Sequence, residues 1–153
     1  MAGPSKVHAD PGARAAELEL ALTVLASARN ETAARMATDN LWTVLHTAPD
    51  AKAADLMNRA IRERSGYNLE KAASIAATLT DHAPAWEEAW NQRSYVAFLR
   101  RRYDESVTHC AEALALQPKH LGCLTGMARI YTRHLRHPVR ARELLDRAVA
   151  LNP

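Results

Sequence analysis

A base and a nucleophile, His109 and Cys110, stand side by side in YDESVTHCAEALALQP, residues 103–118. Such a pair does covalent chemistry when the base reaches the thiol and a third group orients the base. No third group is apparent here, so Cys110 reads as a small buried hydrophobe and His109 as a residue facing solvent or the next helix. KHLGC places His120 and Cys123 at i, i+3, and HLRH places His134 and His137 at the same spacing. Structural zinc needs four tetrahedral ligands, yet His120 and His134 stand roughly 21 Å apart along a helix. No metal is expected, and the lone histidines read as surface polar groups. Cys110 and Cys123 are too few for a disulfide framework, although they could pair with each other. Gly-rich phosphate loops, CxxC, CxxCH and HExxH are absent. Glu87–Glu88 reads as a solvated first helical turn. The expectation is a protein that is not an enzyme and carries no cofactor.

The elements that would position these residues are helices. The chain has 153 residues, 48% hydrophobic and 24% charged, with five glycines, which suits one globular domain rather than a disordered chain. Charges interrupt every apolar run, so no transmembrane helix is expected. MAGPSKVHADPGAR lacks a leader's apolar core. Residues 1–12 therefore read as a flexible tail, with a cytoplasmic location favoured and an organelle or the periplasm open if a leader was removed.

Prolines following helical stretches recur at Pro49, Pro84, Pro118 and Pro153, at spacings of 35, 34 and 35. Proline lacks an N–H and disfavours helical geometry in the preceding residue, so evenly spaced stops mark copies of one unit. Each unit divides into two helical stretches. EEAWNQRSYVAFLRR is followed by YDESVTHCAEALAL, with Asp104 as the expected N-cap. LGCLTGMARIYTRHL is followed by PVRARELLDRAVAL, opening on Pro138. Small residues recur in register: Ala60, Ser94 and Ala128 at intervals of 34, and Ala72, Ser106 and Ala141 at 34 and 35. Small side chains let paired helices approach closely, and stacked pairs share a continuous core. Cys110 falls in the slot that Leu41, Ala76 and Leu145 hold elsewhere.

On these residues the chain resembles the tetratricopeptide repeat (TPR) family, and in its third unit small bacterial-type TPR proteins. Trp90, Ser94, Tyr103, Ser106, Ala113 and Pro118 carry the likeness best; Leu124, Ala128, Tyr131, Ala141, Leu145 and Ala148 continue it. The units run about 15–49, 51–84, 87–118 and 121–153, the first degenerate because Val44 departs from the pattern and its inter-helix turn is short. A pentatricopeptide reading fails on the endings LALQP and VALNP. The resemblance implies an all-α, right-handed α-solenoid of about four helix-turn-helix repeats, eight helices within residues 13–153. It also implies a scaffold, adaptor or assembly factor that binds a peptide or helical segment in the concave groove.

Carried onto this chain, the groove positions are Met57, Ile61 and Arg64, then Asn91, Tyr95 and Phe98, then Thr125, Arg129 and Thr132. Asn91 can grip a peptide backbone, Tyr95 and Phe98 offer apolar area, and Arg129 can clamp a carboxylate. The lysine and asparagine of the family's chaperone-tail clamp are replaced by Met57 or Asn91 and by Ile61 or Tyr95, which argues against a chaperone-tail reader. Residues 119–153 hold seven Lys/Arg against Glu143 and Asp146, so an acidic or amphipathic protein segment suits this end. LRRRYD and the basic end would also admit nucleic acid, but aromatics make up only 5% of the chain; a solvated basic face is the simpler reading. The other alternative, metal or redox chemistry at Cys110 and Cys123, stands further back. Val139, Leu144–Leu145 and Val149 leave the last helix with an apolar arc, a place for a second copy or a complex partner.

Overall fold

A computed structural model describes residues 11–45 and 47–151. Among them run eight helices, α1 (Pro11–Ala26), α2 (Glu31–Leu45), α3 (Ala51–Ser65), α4 (Leu69–His82), α5 (Glu87–Leu99), α6 (Tyr103–Leu116), α7 (Leu121–Arg133) and α8 (Pro138–Leu151). The described residues form an all-α fold, as the repeat implies. The expected stop at Pro153 and most of the expected tail lie outside the described residues. That tail was expected to reach residue 12, but α1 already begins at Pro11, a position where a missing N–H costs nothing.

The helices form antiparallel pairs, α3 with α4, α5 with α6 and α7 with α8, and each pair packs on the next through α4–α5 and α6–α7. The small residues make this possible. Ala60, Ala72, Ser94, Ser106, Ala128 and Ala141 are all buried. Between α5 and α6 the contact is polar as well as close: Ser94 Oγ donates to the Ser106 carbonyl at 2.8 Å, and Ser106 Oγ returns a bond to the Ser94 carbonyl at 2.9 Å. Apolar clusters lie on either side, one around Leu56, Met57, Leu79 and Trp86, the other around Leu114, Leu124, Met127 and Leu144. The turns repeat too. Tyr67, Arg101 and Arg136, each just after the first helix of a pair, have φ of 61°, 60° and 51°. Three non-glycine residues accept left-handed strain at one repeat position, because the hairpin between paired helices requires that geometry.

Helix starts differ from the expectation in one place. Asp104 does not cap α6; the helix begins at Tyr103, and Asp104 sits in its first turn, where its charge still complements the helix dipole. Asp50 does cap α3, accepting from the Ala53 amide at 2.7 Å and meeting His82 Nε2 at 3.0 Å. The Ala53 amide and His82 hold its pKa below the usual aspartate value. Asp50→Ala is expected to cost about 1 kcal/mol at neutral pH, measured by thermal denaturation. Because the folded-state pKa is depressed, this contribution is present above about pH 4 and lost as pH falls through the lowered value. The gap between wild type and variant should therefore close under acid conditions.

The first pair departs from the stacking. α1 and α2 pack on each other around a core of their own, Leu18, Ala21, Leu22, Leu25, Ala37, Leu41 and Val44. α2 scarcely touches α3, whereas α1 touches α8. The degenerate first unit thus folds back across the solenoid instead of extending it. At the far end, Leu145 is 46% exposed while its repeat counterpart Cys110 is buried. The slot is the same, but no described helix stacks beyond α8. None of the described helices is long and apolar enough to cross a membrane.

Candidate functional site: the concave groove and its polar end

The inner helices α3, α5 and α7 line a cavity of about 380 Å³. Of the nine positions anticipated from the sequence, Ile61, Arg64, Asn91, Tyr95, Thr125 and Arg129 meet around it. Arg64 lies over the Tyr95 ring at 4.7 Å and donates to Gln92 Oε1 at 2.8 Å. Phe98 is half-buried and lines a smaller adjoining cavity of about 90 Å³, with its ring 6.4 Å from Tyr95. Two positions fall elsewhere. Met57 is 2% exposed and packs into the α3–α4 core, so it offers a partner no surface. Thr132 faces the shallow cleft between α7 and α8 beside Arg136 and Leu145, not the groove.

Besides Gly122 and Gly126, three groove residues escaped the sequence reading. Gln92 has its Nε2 buried without a partner. Glu88 reaches the cavity from the start of α5, and Trp42 of α2 forms its remaining wall. A Cβ placed on Gly122 would stand 3.7 Å from Trp42 Cη2. Trp42 follows Leu41, a core slot, so a regular helix turns it away from the α1–α2 core. That was the available signal, but the sequence does not say what it turns towards.

The groove ends in buried charges. Glu87 and Glu88, expected to be solvated, are 3% and 2% exposed, and His120, expected at the surface, is 1% exposed. Arg14 of α1 forms an ion pair with Glu87, side chains 14% and 5% exposed, and its Nε donates to the Thr47 carbonyl at 3.3 Å. The folded-back helix is what takes Glu87 from water. His120 Nε2 bonds Glu88 Oε2 at 3.1 Å, and His120 Nδ1 accepts the Cys123 amide at 3.1 Å, capping α7. Since Nδ1 is an acceptor, the proton lies on Nε2 and is donated to the carboxylate. Burial pulls the His120 pKa down, but the Glu88 bond and the charges of Glu88 and Glu87 outweigh it, and the pKa stands above its ordinary value. Glu88 Oε1 in turn accepts from Asn91 Nδ2 at 3.0 Å.

His109 and Cys110 do not form a dyad. His109 is half-buried, its Nδ1 has no partner, and its ring lies 6.0 Å from Trp90. Burial, with Arg93 nearby, lowers its pKa. Cys110 instead meets Ser94 Oγ at 3.0 Å. The neighbouring Cys123 thiol lowers the Cys110 pKa despite burial, while Cys110 and burial raise that of Cys123. Cys123 Sγ donates to Asn91 Oδ1 at 3.3 Å. Among the described residues no three His, Cys, Asp or Glu side chains gather in a way that could hold a metal ion.

Paired helices, a repeat of 34–35 residues and an inner groove define an α-solenoid. A scan against protein-family models matches none. A TPR repeat-containing protein of Rhizobium etli is 36% identical over 47 residues, which is 31% of this chain and 23% of that relative. The match thus spans less than a quarter of the relative. A solved structure of a point mutant of MamA, itself a TPR solenoid, shares 16% identity at a TM-score of 0.60, covering 92% of this chain and 98% of that one. The repeat register and these two likenesses show a fold like that of tetratricopeptide repeat proteins.

Proposed function

We propose that the chain is a non-catalytic scaffold or adaptor that binds a peptide or helical segment of a partner protein in the concave groove. The observation that carries this reading is the convergence of Ile61, Arg64, Asn91, Tyr95, Thr125 and Arg129 on one cavity of about 380 Å³. Its chemistry is mixed. Tyr95 is 46% exposed and supplies rigid apolar area, while Arg64 and Arg129 supply positive charge. An acidic or amphipathic segment complements such a surface. Tyr95 and Arg129 are the residues to test, because Asn91 also holds Glu88 and Cys123 and its removal would disturb the fold.

Affinity capture with the wild-type chain and with Tyr95→Ala/Arg129→Ala, followed by mass spectrometry, tests the proposal. Proteins bound by the wild type should fall at least tenfold with the double variant, which should keep its helical circular dichroism. Undiminished capture by the double variant would move the binding site off the groove.

A further inference from the structure

The folded-back α1–α2 pair bears on how a partner enters. Three observations make it a separable piece. It has its own core, its α2 scarcely touches α3, and one short linker, residues 46–50, connects it along the chain to α3. Besides the α1–α8 contact and Trp42, its attachment includes a polar element: Arg14 reaches Glu87 in the first turn of α5. Opening such a contact leaves no charge stranded, because Glu87 and Arg14 both return to water, and an acidic residue in an exposed first turn suits the helix dipole. Permanent interfaces bury apolar surface, whereas reversible ones are richer in polar contacts. Meanwhile Trp42, 42% exposed, stands against Gly122 and closes one side of the groove.

We propose that α2 is an intramolecular ligand of the concave groove, latched by the Arg14–Glu87 pair. The partner the groove fits is then another amphipathic helix with an aromatic anchor, which enters by displacing α1–α2. This rests on the groove reading. One side of the groove is then self-occupied in the resting chain, so affinity for a partner is reduced by the fraction of molecules that stay latched.

Two measurements on the full chain test it. Hydrogen–deuterium exchange compares wild type with Arg14→Gln; exchange in α1 and α2 should rise at least tenfold while α3–α8 keep their protection. Equal acceleration throughout α3–α8 would overturn the separable hairpin. Second, a fluorescent peptide of residues 31–45 is titrated against both chains. It should bind Arg14→Gln at least tenfold more tightly than wild type, and its Trp42→Ala version should not bind. Equal affinity for both chains, or binding that ignores Trp42, would overturn the self-ligand. Adding Tyr95→Ala/Arg129→Ala to the unlatched chain separates the two readings. Peptide binding that survives there, with the hairpin still exchanging freely, sinks the groove and leaves the latch standing.

Discussion

His120→Ala should lower the unfolding free energy by about 3–5 kcal/mol, the range seen when a buried charge loses the group that compensates it. The imidazole serves two helices at once. Its Nε2–H meets the Glu88 carboxylate, and its Nδ1 caps α7 through the Cys123 amide. Losing it takes one partner from a carboxylate that is 2% exposed and frees an amide at the start of α7. One relief is available: if the α1–α2 pair lifts, water reaches Glu87 and Glu88, and the loss is limited to the free energy that held the pair down. Urea denaturation measures the total, and Glu88→Gln/His120→Ala measures the coupling. The double variant should be more stable than His120→Ala, because an amide tolerates burial better than an unpaired charge. A single-variant loss under about 1 kcal/mol, the range of an exposed polar pair, would show that the contact is not buried in solution.

Leu124→Ala should cost about 3–5 kcal/mol through lost transfer free energy and a cavity that packed helices cannot fill. Leu124 is fully buried among Cys110, Leu114, Met127, Tyr131 and Leu144, where α6, α7 and α8 meet. Each residue there belongs to a different turn of a rigid helix, so collapse around the missing methyls is limited. Leu145, one residue from buried Leu144, is the control. At 46% exposure its alanine variant should cost under about 1 kcal/mol in the isolated chain. The contrast also tests the expected second copy at the open end. If Leu145→Ala becomes as costly as Leu124→Ala when the protein is concentrated, the apolar arc with Val139 and Val149 is covered by another molecule. A solenoid of stacked pairs need not unfold in one step, so hydrogen exchange should accompany each denaturation curve.

Helix pairing was legible because its causes are local and recur. Proline, small residues and apolar spacing act within one unit, and four copies reinforce one reading. The groove was legible for the same reason: Ile61, Tyr95 and Arg129 are each 34 residues from the next and stack in register. Met57 failed because the same periodicity marks the inner face and the inter-repeat core; only the angle between neighbouring pairs decides which side is sealed. Asp104 failed as a cap because polar residues also precede the helix and sequence alone does not choose between starts two residues apart.

The sequence by itself determined the repeat, the pairing and the candidate inner face, since those follow from the local preferences of a chain that meets the same instructions every 34 or 35 residues. Only the tertiary structure decided that Glu87, Glu88 and His120 are buried and that Trp42 walls the groove. Burial is set by what comes to lie above a residue. Here that is a helix pair whose Arg14 is 73 residues from Glu87, a contact between non-repeating parts of the chain that no periodicity encodes.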